Sequence, residues 1–225
     1  MYRHEYKYII SLGQLEVLQN RINHFVSLDP HVIKTGSYNI RSLYFDDYDD
    51  TCMFENENGT DPREKYRIRI YNHQVDRIKL ECKRKEREKT LKTSCSLDRE
   101  EAECLIRGKP SPTIVTSKAV LNRLNIGIIE RLMRPVTIVE YDRIPYIYPL
   151  GNVRITFDMN ICASSSFSLF FHDIIPKRPI LPLDCCLMEV KFDGFLPDYF
   201  YSLLELGSFS RTAFSKYYLS RKYSF

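Results

Sequence analysis

The segment 63-REKYRIRIYN-72 sorts its side chains by parity. Arg63, Lys65, Arg67 and Arg69 hold alternate positions, and Glu64, Tyr66, Ile68 and Ile70 hold the positions between them. Successive side chains of a strand point to opposite faces, so the segment is predicted to be a strand with a row of cations on one face. Like charges at that spacing repel unless water screens them or an anion pairs with them. Arginine offers a planar fork that grips phosphate bidentately, and lysine offers a point charge. Such a row suits the handling of a phosphate-rich anion.

The pattern recurs. In 77-RIKLECKRK-85, Ile78, Leu80 and Cys82 alternate with Arg77, Lys79, Glu81, Lys83 and Lys85. In 152-NVRITFDM-159, Val153, Ile155, Phe157 and Met159 alternate with Arg154, Thr156 and Asp158. In 186-CLMEVKFD-193, Met188, Val190 and Phe192 alternate with Leu187, Glu189 and Lys191, and at the N-terminus Arg3, Glu5 and Lys7 share a face. The interleaved acids supply hard oxygen donors of the kind Mg²⁺ and Mn²⁺ prefer. Taken singly, each strand reads first as the solvated outer face of an antiparallel sheet. Taken together they suit another arrangement. The strands curl into a barrel with their charged faces inward, and amphipathic helices cover the apolar outside. A charged interior is costly without counter-charge, which a phosphate chain and a divalent metal would provide.

The elements that must position these residues follow from periodicity and breakers. Strands are predicted at 2–10, 38–47, 65–72, 77–85, 135–143, 146–148, 152–159 and 185–192. A helix is predicted over 12–27, with Leu15, Leu18, Ile22 and Phe25 on its apolar face and Ser11 as its cap. Further helices are predicted at 98–107, with Asp98 as N-cap and Glu101 three residues on, at 113–126, at 197–206, and from near Arg211 through Lys222. Residues 48–62 and 160–184 read as loops, and 86–97 as a polar connection. With no repeat or linker, 1–225 reads as a single α+β domain.

Composition narrows the function classes. The chain has 225 residues and a formal net charge of +4. That balance permits an anionic partner without demanding nucleic acid. Few aromatic residues share the charged faces, a poor platform for single strands, so no nucleic-acid partner is expected. No run of about 18 apolar residues is present, so attachment to a membrane would need a membrane-protein partner. The N-terminal MYRHEYKYII lacks the apolar core of a secretory signal, and seven cysteines without a CxxC pair read as reduced thiols, so a cytoplasmic location is expected. The histidines are scattered and form no zinc motif. No GxxxxGK[ST] loop or kinase HRD/DFG set occurs.

In order, RHEYKYII, IRSLYFDD, KYRIRIY, KLECKRK, the run from ERLMRPVTIVEYDRIPY to NVRITFD, MEVKFDG and FSKYYLSRKY resemble the VTC domain, the polyphosphate polymerase branch of the triphosphate tunnel metalloenzymes. The similarity runs from about residue 2 to 222. It implies a closed antiparallel β-barrel, a triphosphate tunnel, with flanking helices and a C-terminal helix. It implies Lys7, Arg67, Arg69, Lys83, Arg143, Arg154 and Lys216 as phosphate-holding catalytic residues. It implies that Ser215 begins the helix that closes one tunnel end and joins Arg67, Arg69 and Lys83 in nucleotide binding. The metal, Mn²⁺ or Mg²⁺, would sit on Glu189, helped by Glu81 or Glu5. The implied activity transfers the γ-phosphoryl of ATP to a growing polyphosphate chain. The alternatives are a triphosphate or nucleotide hydrolase on the same barrel, or a non-catalytic polyanion-binding module. Hydrolytic relatives begin with an ExExK strand. Here RHEYK puts Arg3 at the first acidic position, which removes a carboxylate and adds a cation suited to gripping phosphate. Arg63, Lys65 and Lys85 read equally well as solvated, Asp158 as orienting Arg154, and Lys191 as lining the tunnel or pairing with Glu189.

Overall fold

Alternation becomes geometry when strands of matching pattern pair. In a computed structural model, which describes residues 3–32, 36–87, 89–113 and 116–222, ten strands form one antiparallel sheet. They are β1 (His4–Ser11), β2 (Ser27–Leu28), β3 (Tyr38–Asp46), β4 (Arg63–Tyr71), β5 (Gln74–Glu86), β6 (Lys89–Leu97), β7 (Arg134–Tyr148), β8 (Val153–Ser164), β9 (Arg178–Pro179) and β10 (Cys185–Phe192). Their order is β1-β10-β8-β7-β3-β4-β5-β6, with the short β2 on β7 and β9 on β8. The helices are α1 (Leu12–Ile22), α2 (Thr51–Glu57), α3 (Arg99–Ile106), α4 (Ala119–Arg131), α5 (Tyr199–Leu203) and α6 (Lys216–Lys222).

The sheet curls with its apolar face outward, as the charge pattern requires. Tyr66, Ile68, Ile70, Ile78, Leu80 and Cys82 of β4 and β5 pack under Leu105 of α3 and Leu121, Leu124 and Ile128 of α4. Tyr8, Ile10, Met188, Val190, Ile155 and Phe157 pack under Leu15, Leu18 and Ile22 of α1 and Phe200 of α5. A third apolar cluster lies at one end of the concave side, where Phe214 and Tyr217 meet Ile40, Tyr44, Val139, Tyr141 and Leu187. It seats α6 across that end.

The expected closed barrel is corrected to an open, curled half-barrel. β1 and β6 are the two ends of the strand order, and a ladder does not join them. One bridge, Arg3 to Thr90, ties the seam. Further along β1, Tyr8 forms a bridge with Arg211, and the Thr212 amide donates to the Lys7 carbonyl. The edge of β1 is therefore taken by the segment leading to α6 rather than by β6.

Several element boundaries also differ. The connection 86–97 contains a strand, β6, whose Lys92 and Ser94 pair in register with Lys83 and Glu81. Its polar alternation hid it, because neither face of this end strand is strongly apolar. The loop 48–62 contains α2, whose N-terminal amides at Cys52 and Met53 are capped from a distance by the Asp46 carboxylate. The strands 135–143 and 146–148 are one strand, β7, which continues through Pro145. The helix placed at 113–126 runs instead over Ala119–Arg131, with residues 114 and 115 outside the described set, as is Tyr2 at the expected start of the first strand. α6 starts at Lys216 rather than near Arg211. Ser11 and Asp98 cap α1 and α3 with full capping boxes, through Gln14 and Glu101. Phe25, expected on the apolar face of α1, lies beyond the helix end and is exposed.

Candidate functional site

The concave face is built by register. Antiparallel pairing sets Arg67 opposite Glu81 and Lys65 opposite Lys83 across β4 and β5. It sets Lys7 opposite Glu189 and Glu5 opposite Lys191 across β1 and β10, and Arg143 opposite Asp158 across β7 and β8. Cross-strand neighbours on one face lie about 4.5–5.5 Å apart at Cβ, so each pairing brings opposite or like charges into direct interaction.

Two ion-pair systems result. In the first, Arg67 reaches Glu81 at 2.7 Å and donates from Nη1 to the Tyr44 hydroxyl at 3.0 Å. Arg69 lies 3.7 Å from the same carboxylate and donates to Ser42 Oγ at 3.1 Å and to Tyr141 at 3.3 Å. Lys92 of β6 takes the other Glu81 oxygen at 3.0 Å. Burial opposes the Glu81 charge, yet Arg67, Arg69 and Lys92 hold its carboxyl well below the ordinary range. Burial likewise pushes the Tyr44 phenol up, but Arg67 and Arg69 outweigh it and hold it below its usual value.

In the second system, α6 delivers Lys216. Its Nζ sits 2.6 Å from Asp158 and 2.8 Å from Glu189, over the ring of Tyr141. Arg143 grips Asp158 bidentately, at 2.6 Å from Nε and 2.8 Å from Nη2, and lies 3.5 Å from Glu189. Lys191 pairs with Glu189 at 2.5 Å and with Glu5 at 3.8 Å. Glu5 also pairs with Lys83 at 2.7 Å and Lys7 at 3.6 Å. Burial opposes ionisation of Glu5 and Glu189, but the surrounding lysines outweigh it and hold both carboxyls well below the ordinary range. For Lys216, burial works against the charge, while Asp158 and Glu189 hold its pKa above the usual lysine value.

The structure thus brings Lys7, Arg67, Arg69, Lys83, Arg143 and Lys216 onto one concave face with Glu5, Glu81 and Glu189. Arg154 stands apart. It is exposed at the β8 end opposite Lys191, and no ion pair involves it among the described residues. Asp158 does not orient Arg154, as expected from sequence; it holds Arg143 and Lys216 instead, because those two point back along the same face. Arg3 adds no cation to the interior. Its guanidinium is held at the rim by Asp193 at 2.8 Å and the Asn152 carbonyl at 2.7 Å. Lys191 both lines the face and pairs with Glu189. Lys65 is not a solvated mouth residue: it is half-buried between Asn56 Oδ1 at 2.5 Å and Ser215 Oγ at 3.3 Å.

The carboxylates divide unequally as metal donors. Among the described residues, no group of three or more acidic, histidine or cysteine side chains converges. Glu5 and Glu189 do flank one point, the Lys191 ammonium, and a divalent cation could replace that charge between their oxygens. Glu81 does not share the point: its cation partners are Arg67, Arg69 and Lys92, in the other ion-pair system.

Sequence reasoning missed the polar partners on β3 and β7. Ser42, Tyr44 and Asp46 alternate with Arg41, Leu43 and Phe45, and that parity was available to find Tyr44. The buried Arg41 gave no such signal. It lies on the outer face of β3 and pairs with Glu140 at 2.5 Å. It also donates to the carbonyls of Phe170 at 2.9 Å and Asp173 at 3.0 Å, a structural staple for the 165–183 loop.

A family model described as the VTC domain matches residues 2–225. Among solved structures, a Bacillus halodurans protein assigned as an adenylate cyclase aligns with a TM-score of 0.53 at 17% identity, over 94% of each chain. A Hippeastrum protein assigned as an adenylyl cyclase, for which a dominant triphosphatase activity is described, aligns with a TM-score of 0.55 at 13% identity, over 99% of this chain and 96% of that one. At those identities the likeness is one of fold. No curated protein sequence matches the chain.

Proposed function

The chain belongs to the VTC domain family, and from that premise we propose that it is a metal-dependent polyphosphate polymerase, transferring the γ-phosphoryl of ATP to a growing polyphosphate chain on its basic concave face. The observation that carries the reading is the convergence of Arg67, Arg69, Arg143 and Lys216 from two strands and a helix on one face, with every carboxylate there already ionised. Phosphoryl transfer needs little covalent chemistry from a protein; positioning and neutralisation of charge on the phosphate oxygens suffice.

In this reading Arg67 and Arg69 hold nucleotide phosphates, with Tyr44, Ser42 and Tyr141 fixing the guanidinium planes. Lys7, Lys83 and Lys216 draw the remaining phosphate oxygens, and Arg143 is kept in place by Asp158. A phosphate chain would exchange the ion pairs of Lys83 with Glu5 and Lys216 with Glu189 for contacts to its own oxygens. Glu189 and Glu5 would hold Mn²⁺ or Mg²⁺, which when bound supplies charge neutralisation at bridging phosphate oxygens. Arg154, exposed at the rim, suits capture of the chain as it enters or leaves.

A second reading, hydrolysis of triphosphate, draws on the triphosphatase activity described for the Hippeastrum protein of similar fold. Incubation with ATP and Mn²⁺ separates them. Long phosphate chains on a gel are expected; free phosphate without chains would establish hydrolysis instead. Arg67→Ala and Glu189→Ala are each expected to abolish turnover with the circular dichroism spectrum unchanged, and normal turnover in either would remove it from the site.

A further inference from the structure

The half-buried Lys65 is not used by the chemistry above. Lys7, Arg67, Arg69, Lys83, Arg143, Lys191 and Lys216 each have a carboxylate within ion-pair distance. Lys65 has neutral partners instead. Its Nζ lies 2.5 Å from Asn56 Oδ1 of α2, 3.3 Å from Ser215 Oγ at the start of α6, and 4.9 Å from the centroid of the Tyr217 ring. Two residues along β4, about 6.6 Å by strand rise, stands Arg67. Lys65 thus extends the line Arg69–Arg67 by one position, to a point walled by two helices.

We propose that Lys65 Nζ and Ser215 Oγ form a subsite for a chain end, the terminal phosphoryl group of a linear polyphosphate or inorganic phosphate. The proposal rests on the reading of the concave face as a phosphate-binding surface and names what that surface takes at its α6 end. An ammonium with neutral partners in place of a carboxylate, beside a serine hydroxyl, matches a phosphate oxygen and its neighbour. Asn56, Ser215 and Tyr217 stand against Lys65 from α2 and the start of α6, and in this reading a chain reaching Lys65 ends against them. A terminal phosphoryl carries one more ionisable oxygen than a bridging phosphate, and it is the group that an unneutralised cation at a closed end would select.

On balance the surroundings of Lys65 favour loss of its proton when no anion is bound. Burial comes first, then Arg63 on its own strand, Lys83 on β5 and Lys7 on β1, and together these bring Lys65 down to about 7. Cys52 of α2 acts weakly in the other direction, and Tyr217 of α6 presents its ring face. A dianionic ligand reverses that balance, so at pH 8 binding draws a proton onto Lys65.

The test is calorimetric titration of the full chain with linear tripolyphosphate and with cyclic trimetaphosphate, which has no chain end, at pH 8 in buffers of different ionisation enthalpy. Lys65→Gln is expected to weaken tripolyphosphate about tenfold, the scale of one charge-assisted hydrogen bond, and to leave trimetaphosphate unchanged. Lys65→Arg is expected to restore affinity while taking up nearly one proton fewer than the wild type. Equal loss for both ligands, or no loss for either, overturns the subsite while leaving the phosphate-binding surface standing. Failure of the wild-type protein to bind tripolyphosphate overturns both. A urea titration of each variant reports whether folding is intact.

Discussion

At the scale of the residue, the concave face is a set of ion pairs that hold one another in the charged state. Arg67 and Glu81 are the clearest case, with burial opposing each charge and the partner restoring it. Removing one member of such a pair leaves the other charge uncompensated in a partly desolvated place, whereas removing both does not. A double-mutant cycle of Arg67→Ala and Glu81→Ala is therefore expected to show a coupling of about 1–3 kcal/mol in urea unfolding, with the double variant more stable than the two single losses would sum to. Lys92 and Arg69 keep some counter-charge on Glu81, which places the coupling below that of a fully isolated buried pair. A coupling near zero would mean that solvent already screens the pair.

At the scale of the element, two staples decide where the functional side chains stand. Asp46, fully buried at the end of β3, accepts from the Cys52 and Met53 amides of α2 at 2.8 and 3.1 Å and from the Tyr217 hydroxyl of α6. It therefore ties the helix carrying Asn56 to the helix carrying Lys216. The second staple, Arg41 with Glu140, works on the opposite face and fixes the loop that returns the chain to β10. Arg41→Leu would leave Glu140 with the exposed Lys177 and with His73 at 3.9 Å, so a loss of about 3 kcal/mol in urea unfolding is expected, with tripolyphosphate affinity of the folded protein unchanged. A drop in affinity would show that the staple reaches the concave face. The strands bearing the cations were readable because alternation against Ile and Leu is a strong signal. β6 and α2 were not, because an end strand without an apolar face and a seven-residue helix capped from another strand leave little local pattern.

At the scale of the whole molecule, the charge system sets how stability depends on pH. Glu5, Glu81, Asp158 and Glu189 are all held below their ordinary range by the cations around them. A carboxyl whose folded pKa is depressed contributes stability that is present above its unfolded pKa, about 4, and is lost as pH falls through the folded value. Stability is therefore expected to be highest with all four ionised and to fall steeply below about pH 4. Lys65 acts in the same direction at the other end of the pH range. Its folded pKa of about 7 lies below the unfolded value of about 10.4, so the unfolded chain binds more protons between them, and this residue makes stability rise with pH across that window. Urea unfolding from pH 3 to pH 9 checks both: Lys65→Gln should flatten the slope above pH 7 and leave the acid limb alone. An unchanged slope would mean that Lys65 keeps its proton in the folded state.

Much of this molecule was legible in the order of its residues. Parity alone placed Lys7, Arg67, Arg69, Lys83 and Glu189 on charged faces, and the amphipathic helices required those faces to turn inward, because an apolar stripe and a charged row cannot both face water and core. The matched family model confirms the kinship that the motifs implied. What only the tertiary structure decided was which charge meets which. Parity is blind to register: it says that Glu81 and Arg67 face the same side, but the β4–β5 pairing puts them opposite one another. It is equally blind to the chain's far contacts, so Asp158 was assigned to its strand neighbour Arg154 when α6 and β7 bring it Lys216 and Arg143. Closure was beyond it too, since whether a curled sheet joins its two ends depends on the small sum of many twists. Here the edge of β1 accepts the segment before α6 and leaves the seam to a single bridge.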